Sequence, residues 1–322
     1  MTKQIYITRA ISENGIKALQ DKGYSVDIGT FENAPTKEQL CSALSAKPYD
    51  GVISFLTDEI GKEVFDACPT AKIFANYSVG FNNIDLTEAK TRSIVVTNTP
   101  GVAGRAVAEH AVALILTLTT RTMEGDLYMR DGKYQGWLPN LFIGVDLSEK
   151  TIGIVGCGSI GFQTATILHH GFNCNIIYTD VKRNTLIEES CGAVFVDKET
   201  LFKQSDIVSL HVPLITSTHH LVNKEVLASM KRTAILINTS RGPVVDENAL
   251  AEALKNGVIR GAGLDVYEFE PKVVQDLLIL PDVVLTPHIA SARESVRNKM
   301  SEIVANDIIS FLETGKAINQ VN

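Results

Sequence analysis

Three side chains of unlike chemistry occupy equivalent places in the second half of the chain. Arg241 lies in Asn238-Thr239-Ser240-Arg241-Gly242, Glu270 in Asp265-Val266-Tyr267-Glu268-Phe269-Glu270-Pro271, and His288 in Thr286-Pro287-His288-Ile289-Ala290. Each follows a run that reads as a buried strand: Ala234–Asn238, Gly261–Asp265 and Val283–Thr286. An imidazole exchanges protons near neutral pH, and a carboxylate beside it favours the charged form and holds one tautomer. A guanidinium grips a carboxylate with two N–H donors, which a lysine does less well. Taken singly, each has an ordinary alternative: a surface ion pair, a solvated loop acid, a satisfied core histidine. Their common position after successive strands is what favours a site, because ligands of open α/β sheets sit at the carboxyl ends of the strands.

A second pattern lies upstream. Thr151–Val155 reads as a strand, Gly156-Cys157-Gly158-Ser159-Ile160-Gly161 follows at once, and Phe162–His169 continues as a helix. A GxGxxG run alone is weak, but between a strand and a helix it has a mechanism. Gly156 permits the tight turn, Gly158 lets the backbone approach a pyrophosphate, and Gly161 lets helix and strand pack closely. The helix start, with Ser159 and Ile160, offers free N–H groups to the phosphates. Asp180 ends the next strand run, Asn175–Thr179. A carboxylate there accepts the adenosine ribose hydroxyls and repels a 2′-phosphate, so the expected cofactor is NAD rather than NADP. Lys182 and Arg183 follow and soften that preference without removing the acid.

Positioning these groups requires two sheets. The first hundred residues alternate strand runs (Gln4–Thr8, Ser25–Ile28, Gly51–Phe55, Ile73–Tyr77, Ile94–Thr97) with amphipathic ones (Ser12–Lys22, Thr36–Ala46, Lys62–Ala67, Leu86–Thr91). Ser12 reads as an N-cap and Gly23 as the C′ residue of the first helix. A second βα series begins at Lys150, after a long helical segment over 102–130 and a loop holding Gly132, Gly136, Trp137 and Pro139. Such alternation argues for α/β architecture with two doubly wound parallel sheets. The 322 residues agree with two domains at about 150 residues each.

Composition narrows the function class. Hydrophobic residues make up 45% and charged residues 21%, an ordinary globular mix. The net charge of −7 disfavours general affinity for nucleic acid or anionic lipid. The apolar run Ala111–Thr120 is half the length of a membrane span, so a buried helix or dimer face is expected and no membrane association. Five cysteines form no CxxC pair, and His110, His169, His170, His219 and His220 show no metal-ligand spacing, so no metal is expected. The start of the chain shows no signal-peptide pattern, and a reducing, cytoplasmic compartment is expected.

Over almost its whole length the chain resembles the D-isomer-specific 2-hydroxyacid dehydrogenase family. The resemblance rests on Val79-Gly80-Phe81-Asn82-Asn83-Ile84-Asp85, Asn98-Thr99-Pro100-Gly101-Val102, the Gly156–Gly161 loop, His211-Val212-Pro213, Asn238–Gly242, Gly263–Val266 with Glu270-Pro271, and Pro287-His288. It implies a Rossmann domain, about 100–288, inserted into a flavodoxin-like substrate domain, about 1–99 plus 289–322, with hinge closure between them. It implies that Arg241 holds the substrate, His288 gives or takes the proton and Glu270 supports His288. Asp265 would meet the nicotinamide carboxamide, Thr239 and Ser240 would lie along the cofactor, and the amides of Val79 and Gly80 would bind the substrate carboxylate. The implied reaction is hydride transfer between NAD(H) and a small 2-keto or D-2-hydroxy acid such as glyoxylate, hydroxypyruvate or pyruvate, in a homodimer.

Two departures bear on specificity. Ser159 stands where many relatives carry an arginine beside the pyrophosphate, and Ser54-Phe55-Leu56-Thr57 offers no cation to a phosphorylated substrate. Glu270 argues against the formate dehydrogenases of the superfamily, which lack that acid. The alternatives are oxidation of another small anion, such as phosphite, and an NAD(H)-sensing, corepressor-like interaction protein.

Overall fold

A computed structural model describes residues 2–322. The chain folds into two compact units, 1–103 with 292–322, and 104–291. The first unit carries β1 (Gln4–Ile7), α1 (Glu13–Asp21), β2 (Ser25–Ile28), α2 (Lys37–Leu44), β3 (Gly51–Ser54), α3 (Lys62–Ala67), β4 (Ile73–Asn76), α4 (Leu86–Thr91) and β5 (Val95–Thr97). All its strand pairings are parallel, in the order β2-β1-β3-β4-β5. β3 and β4 are buried along their whole length, as strands covered on both faces must be. The C-terminal helix, α12 (Glu294–Thr314), packs on α1 in this unit. Its Asp307 carboxylate accepts the N–H groups of Ile318 and Asn319 at 3.0 and 2.9 Å, and Val321 N–H reaches the Val96 carbonyl. These bonds bring the end of the chain back to β5.

Ser12 occupies the N-cap position of α1, but its hydroxyl does not cap the helix. It donates to Asn298 instead, while its carbonyl accepts from Ser301 Oγ at 2.6 Å. Packing against α12 outcompetes the local bond that its residue type favours. Gly23 does adopt the left-handed conformation expected of a C′ residue, with φ +77°.

The second unit comprises α5 (Gly104–Thr120), α6 (Thr122–Arg130), β6 (Thr151–Val155), α7 (Ser159–Phe172), β7 (Asn175–Thr179), α8 (Thr185–Cys191), β8 (Val194–Phe195), α9 (Lys198–Gln204), β9 (Ile207–Leu210), α10 (Lys224–Ser229), β10 (Ile235–Asn238), α11 (Glu247–Lys255), β11 (Gly261–Leu264) and β12 (Val283–Leu285). Its seven strands are parallel in the order β12-β11-β10-β9-β6-β7-β8. The sequence reverses direction between β6 and β9, and a parallel sheet places every strand-to-helix loop at one edge. The helical segment expected over 102–130 is two helices. Arg121 is left-handed, with φ +58°, and its guanidinium pairs with Glu124, so the chain turns there. α5 is buried on one face by Ala111, Leu114 and Ile115, whereas α6 buries no side chain. No described helix is long and apolar enough to cross a membrane.

Candidate active site

The loops leaving β6, β7, β10, β11 and β12 carry the expected groups of the second unit. At β6 the chain turns through Gly156, with φ +89°, where a Cβ would lie 2.7 Å from the His211 carbonyl oxygen. Gly161 is as constrained: a Cβ there would stand 2.1 Å from the Gly156 oxygen. Gly158 differs, because a Cβ built on it would meet nothing. Its bare backbone therefore faces open space at the start of α7. Gly158 offers no side-chain cap, so the N–H groups of the first turn, at Ser159 and Ile160, keep their capacity for an external acceptor.

Asp180 closes this loop from the end of β7. Its Oδ2 accepts from Cys157 N–H and its Oδ1 from Val181 N–H, both at 2.6 Å. The half-buried acid is thereby fixed beside the glycine turn. Beyond β10, Ser240 donates from N and Oγ to Asn238 Oδ1 at 3.0 and 2.8 Å. Thr239 Oγ1 is buried with no hydrogen-bond partner among the described residues. An orphaned buried hydroxyl is costly unless a ligand satisfies it. The open glycine cradle, uncapped helix start, acid after β7 and orphaned Thr239 fit a dinucleotide.

The catalytic candidates cluster at β10–β12. His288 Nδ1 and Glu270 Oε2 are 3.0 Å apart, with side chains 25% and 30% exposed, so the pair is reachable from solvent. Glu270 Oε1 accepts Tyr267 N–H at 3.0 Å, which aims the carboxylate. Burial pushes the Glu270 carboxyl up, but the bond to His288, His288's charge, Tyr267 N–H and Arg241 outweigh it and hold it below its ordinary value. Arg241 is half-buried and donates to the Ser240 carbonyl at 2.6 Å. Burial lowers its pKa, and Glu270 opposes that shift.

His288 sits in a left-handed conformation, φ +53°. Asp265 explains how that loop is held. Fully buried, it accepts Thr286 Oγ1 at 2.6 Å and the N–H groups of Ile289 and Ala290 at 2.8 Å each. One carboxylate thus ties the side chain of Thr286 before His288 and the backbone of Ile289 and Ala290 after it. Burial pushes the Asp265 carboxyl up, but hydrogen bonds from His110, Thr286, Ile289 and Ala290 bring it net below its usual value.

Two positions escaped the reading of the sequence. His110, on α5, places Nε2 2.9 Å from Thr286 Oγ1 and 3.4 Å from Asp265 Oδ1. Gly242 lets the β10 loop touch the 266–271 loop, since a Cβ there would fall 1.8 Å from the Tyr267 carbonyl oxygen. Gly242 stood inside the quoted Asn238–Gly242 run, but only the approach of Tyr267 gives it a reason. His211 is pushed down to about 3 by burial, its Nε2 sits 2.9 Å from Ser209 Oγ, and its backbone backs the glycine loop.

In the first unit Val79 and Gly80 follow β4. Their carbonyls accept from Asn98 Nδ2 at 2.7 Å and Asn76 Nδ2 at 2.9 Å. No acceptor among the described residues takes their N–H groups.

A parallel seven-stranded sheet with a glycine turn at its switch point is the architecture of a dinucleotide-binding domain. The D-isomer specific 2-hydroxyacid dehydrogenase NAD binding domain matches residues 112–290. A glyoxylate reductase from Thermococcus litoralis is 45% identical, covering 100% of this chain and 97% of the relative. Among solved structures, an NADPH-dependent glyoxylate/hydroxypyruvate reductase from Sinorhizobium meliloti superposes with a TM-score of 0.86 at 31% identity, covering 100% of this chain and 97% of that one. The D-lactate dehydrogenase of Escherichia coli gives 0.85 at 29% identity, covering 99% and 100%. The chain belongs to the D-isomer specific 2-hydroxyacid dehydrogenase family. It is an NAD(P)-dependent oxidoreductase acting on 2-hydroxy or 2-keto acids.

Proposed function

We propose that the protein reduces a small 2-keto acid, such as glyoxylate, hydroxypyruvate or pyruvate, to the D-2-hydroxy acid with NADH in the cytoplasm. The observation that carries this reading is the 3.0 Å His288–Glu270 contact, in a loop anchored by Asp265. When bound, the nicotinamide supplies the hydride. His288 gives its proton from Nε2 to the oxygen that becomes the hydroxyl, because Nδ1 is engaged by Glu270. Glu270, whose carboxyl its neighbours hold below its ordinary value, engages Nδ1 and so turns Nε2 towards the substrate. Arg241 grips the substrate carboxylate and polarises the adjacent carbonyl. The amides of Val79 and Gly80, whose carbonyls are already tied down, take the carboxylate oxygens. Asp265 receives the carboxamide end of the cofactor, and Thr239 and Ser240 flank it. The domain assignment follows: 100–288 binds the dinucleotide, and 1–99 with 289–322 presents the substrate amides.

Preference for NADH rests on Asp180, whose fixed charge repels a 2′-phosphate. The relative from Sinorhizobium meliloti is NADPH-dependent, so the family accommodates either cofactor. The test is the decay of NADH and NADPH absorbance with a panel of 2-keto acids that includes branched and aromatic members. Turnover of the small acids with NADH, and a narrowed NADH:NADPH ratio in Asp180→Ala, are the expected results. No turnover with any acid overturns the reading, and an unchanged ratio overturns the account of cofactor choice.

A further inference from the structure

We propose that His219, His220 and Glu268 form a binding site for a divalent transition-metal ion of the zinc class, apart from the hydride-transfer site. One ligand atom from each residue lies within 4.8 Å of the other two. The imidazole rings of His219 and His220 are stacked, with centroids 4.1 Å apart and planes 28° from parallel. His220 is left-handed, φ +50°, and its N–H donates to the Pro243 carbonyl at 2.8 Å, so its direction is set by backbone. Its Nε2 approaches Glu268 Oε1 at 2.6 Å.

Glu268 is presented as a ligating carboxylate commonly is, with one oxygen anchored and the other facing the site. Oε2 accepts the Glu247 N–H at 3.0 Å, at the start of α11. Glu247 returns the contact, accepting Glu268 N–H at 2.6 Å, and is itself buried. Glu268 is thus held through both its backbone N–H and its Oε2, which leaves Oε1 to face the histidines. Two imidazoles and one carboxylate, with the His219 side open to water, match the three-ligand pattern that zinc, nickel, cobalt or copper accepts and that magnesium and calcium do not.

Ligands about 2.0–2.1 Å from a tetrahedral metal stand about 3.3 Å apart, so His220 and Glu268 must separate by less than about 1 Å as the metal replaces the shared proton. The exposed His219 ring, stacked on His220, must turn so that its nitrogen lone pair meets the same ion. Bound metal would join the 211–222 loop to the loop that also carries Glu270. Adjacent histidines alone gave no such signal, because their carboxylate lies 48 residues away.

The test uses the full chain stripped with chelator, titrated with Zn2+ by calorimetry and with Co2+ by visible absorbance. Expected are one equivalent at micromolar affinity, a Co2+ d–d spectrum without the intense near-ultraviolet band of thiolate ligation, and no competition from Mg2+ or Ca2+. His219→Ala, which changes an exposed side chain outside the dehydrogenase machinery, should weaken binding about tenfold or more while NADH binding is unchanged. Absent binding below about 1 mM, or equal affinity in His219→Ala, overturns the proposal. Either result leaves the dehydrogenase reading to its own assay.

Discussion

At the scale of single residues, the site is a set of opposed forces on three ionisable groups. Burial pushes the Glu270 carboxyl up, yet His288, Tyr267 N–H and Arg241 bring it below its ordinary value. Glu270 Oε2 stands 3.0 Å from His288 Nδ1, which leaves Nε2 as the nitrogen available to a substrate. His288→Ala should lower turnover about 100-fold or more by removing the acid, with NADH binding retained in a fluorescence titration. Unchanged turnover would place the proton donor elsewhere. Glu270→Gln in the same assay should lower kcat/KM, because the amide replaces the carboxylate that Tyr267 N–H aims at His288 Nδ1; unchanged kcat/KM would show that this contact does not position the histidine. The residue types and their order were legible in the chain. The 3.0 Å separation was not, since Glu270 and His288 are 18 positions apart on different loops.

At the scale of elements, the loops after β10, β11 and β12 behave as one construction. Asp265 at the end of β11 binds the Thr286 hydroxyl before His288 and the backbone N–H groups of Ile289 and Ala290 after it, and Gly242 after β10 lies against Tyr267. Gly242→Ala should therefore force the β10 loop and the 266–271 loop apart. We expect a loss of about 1–3 kcal/mol in urea unfolding, the range for overpacking, together with reduced kcat/KM. A variant with parent stability and parent activity would show that this contact does not hold the site. Strands and helices such as β6, α3 and α4 were readable from periodicity, with bounds matching those observed. The break at Arg121 was not. No glycine or proline marks it, and the turn depends on a left-handed arginine held by Glu124.

At the scale of the whole molecule, α6 and the loop after it leave apolar groups without a covering layer. Leu127, Met129, Tyr134, Leu138 and Ile143 are exposed, and Trp137 is 82% exposed. Patches of this kind mark association surfaces, and we propose that a second copy of the chain covers this one. Light scattering at micromolar concentration should return twice the 35.0 kDa chain mass, and Trp137→Glu should shift the population towards the single chain. A single-chain mass for the parent protein would refute the homodimer.

By itself the sequence determined the two parallel α/β sheets, the glycine turn that opens α7, and the placing of Arg241, Glu270 and His288 after neighbouring strands. Those are local facts, carried by the period of apolar residues and the residue types that turns require. Only the tertiary structure decided that one carboxylate, Asp265, ties the His288 loop from both sides, that Gly242 must be bare, and that Glu268 faces two histidines. Such meetings depend on side-chain direction and backbone approach after the chain has crossed the sheet, and no spacing along the sequence records them.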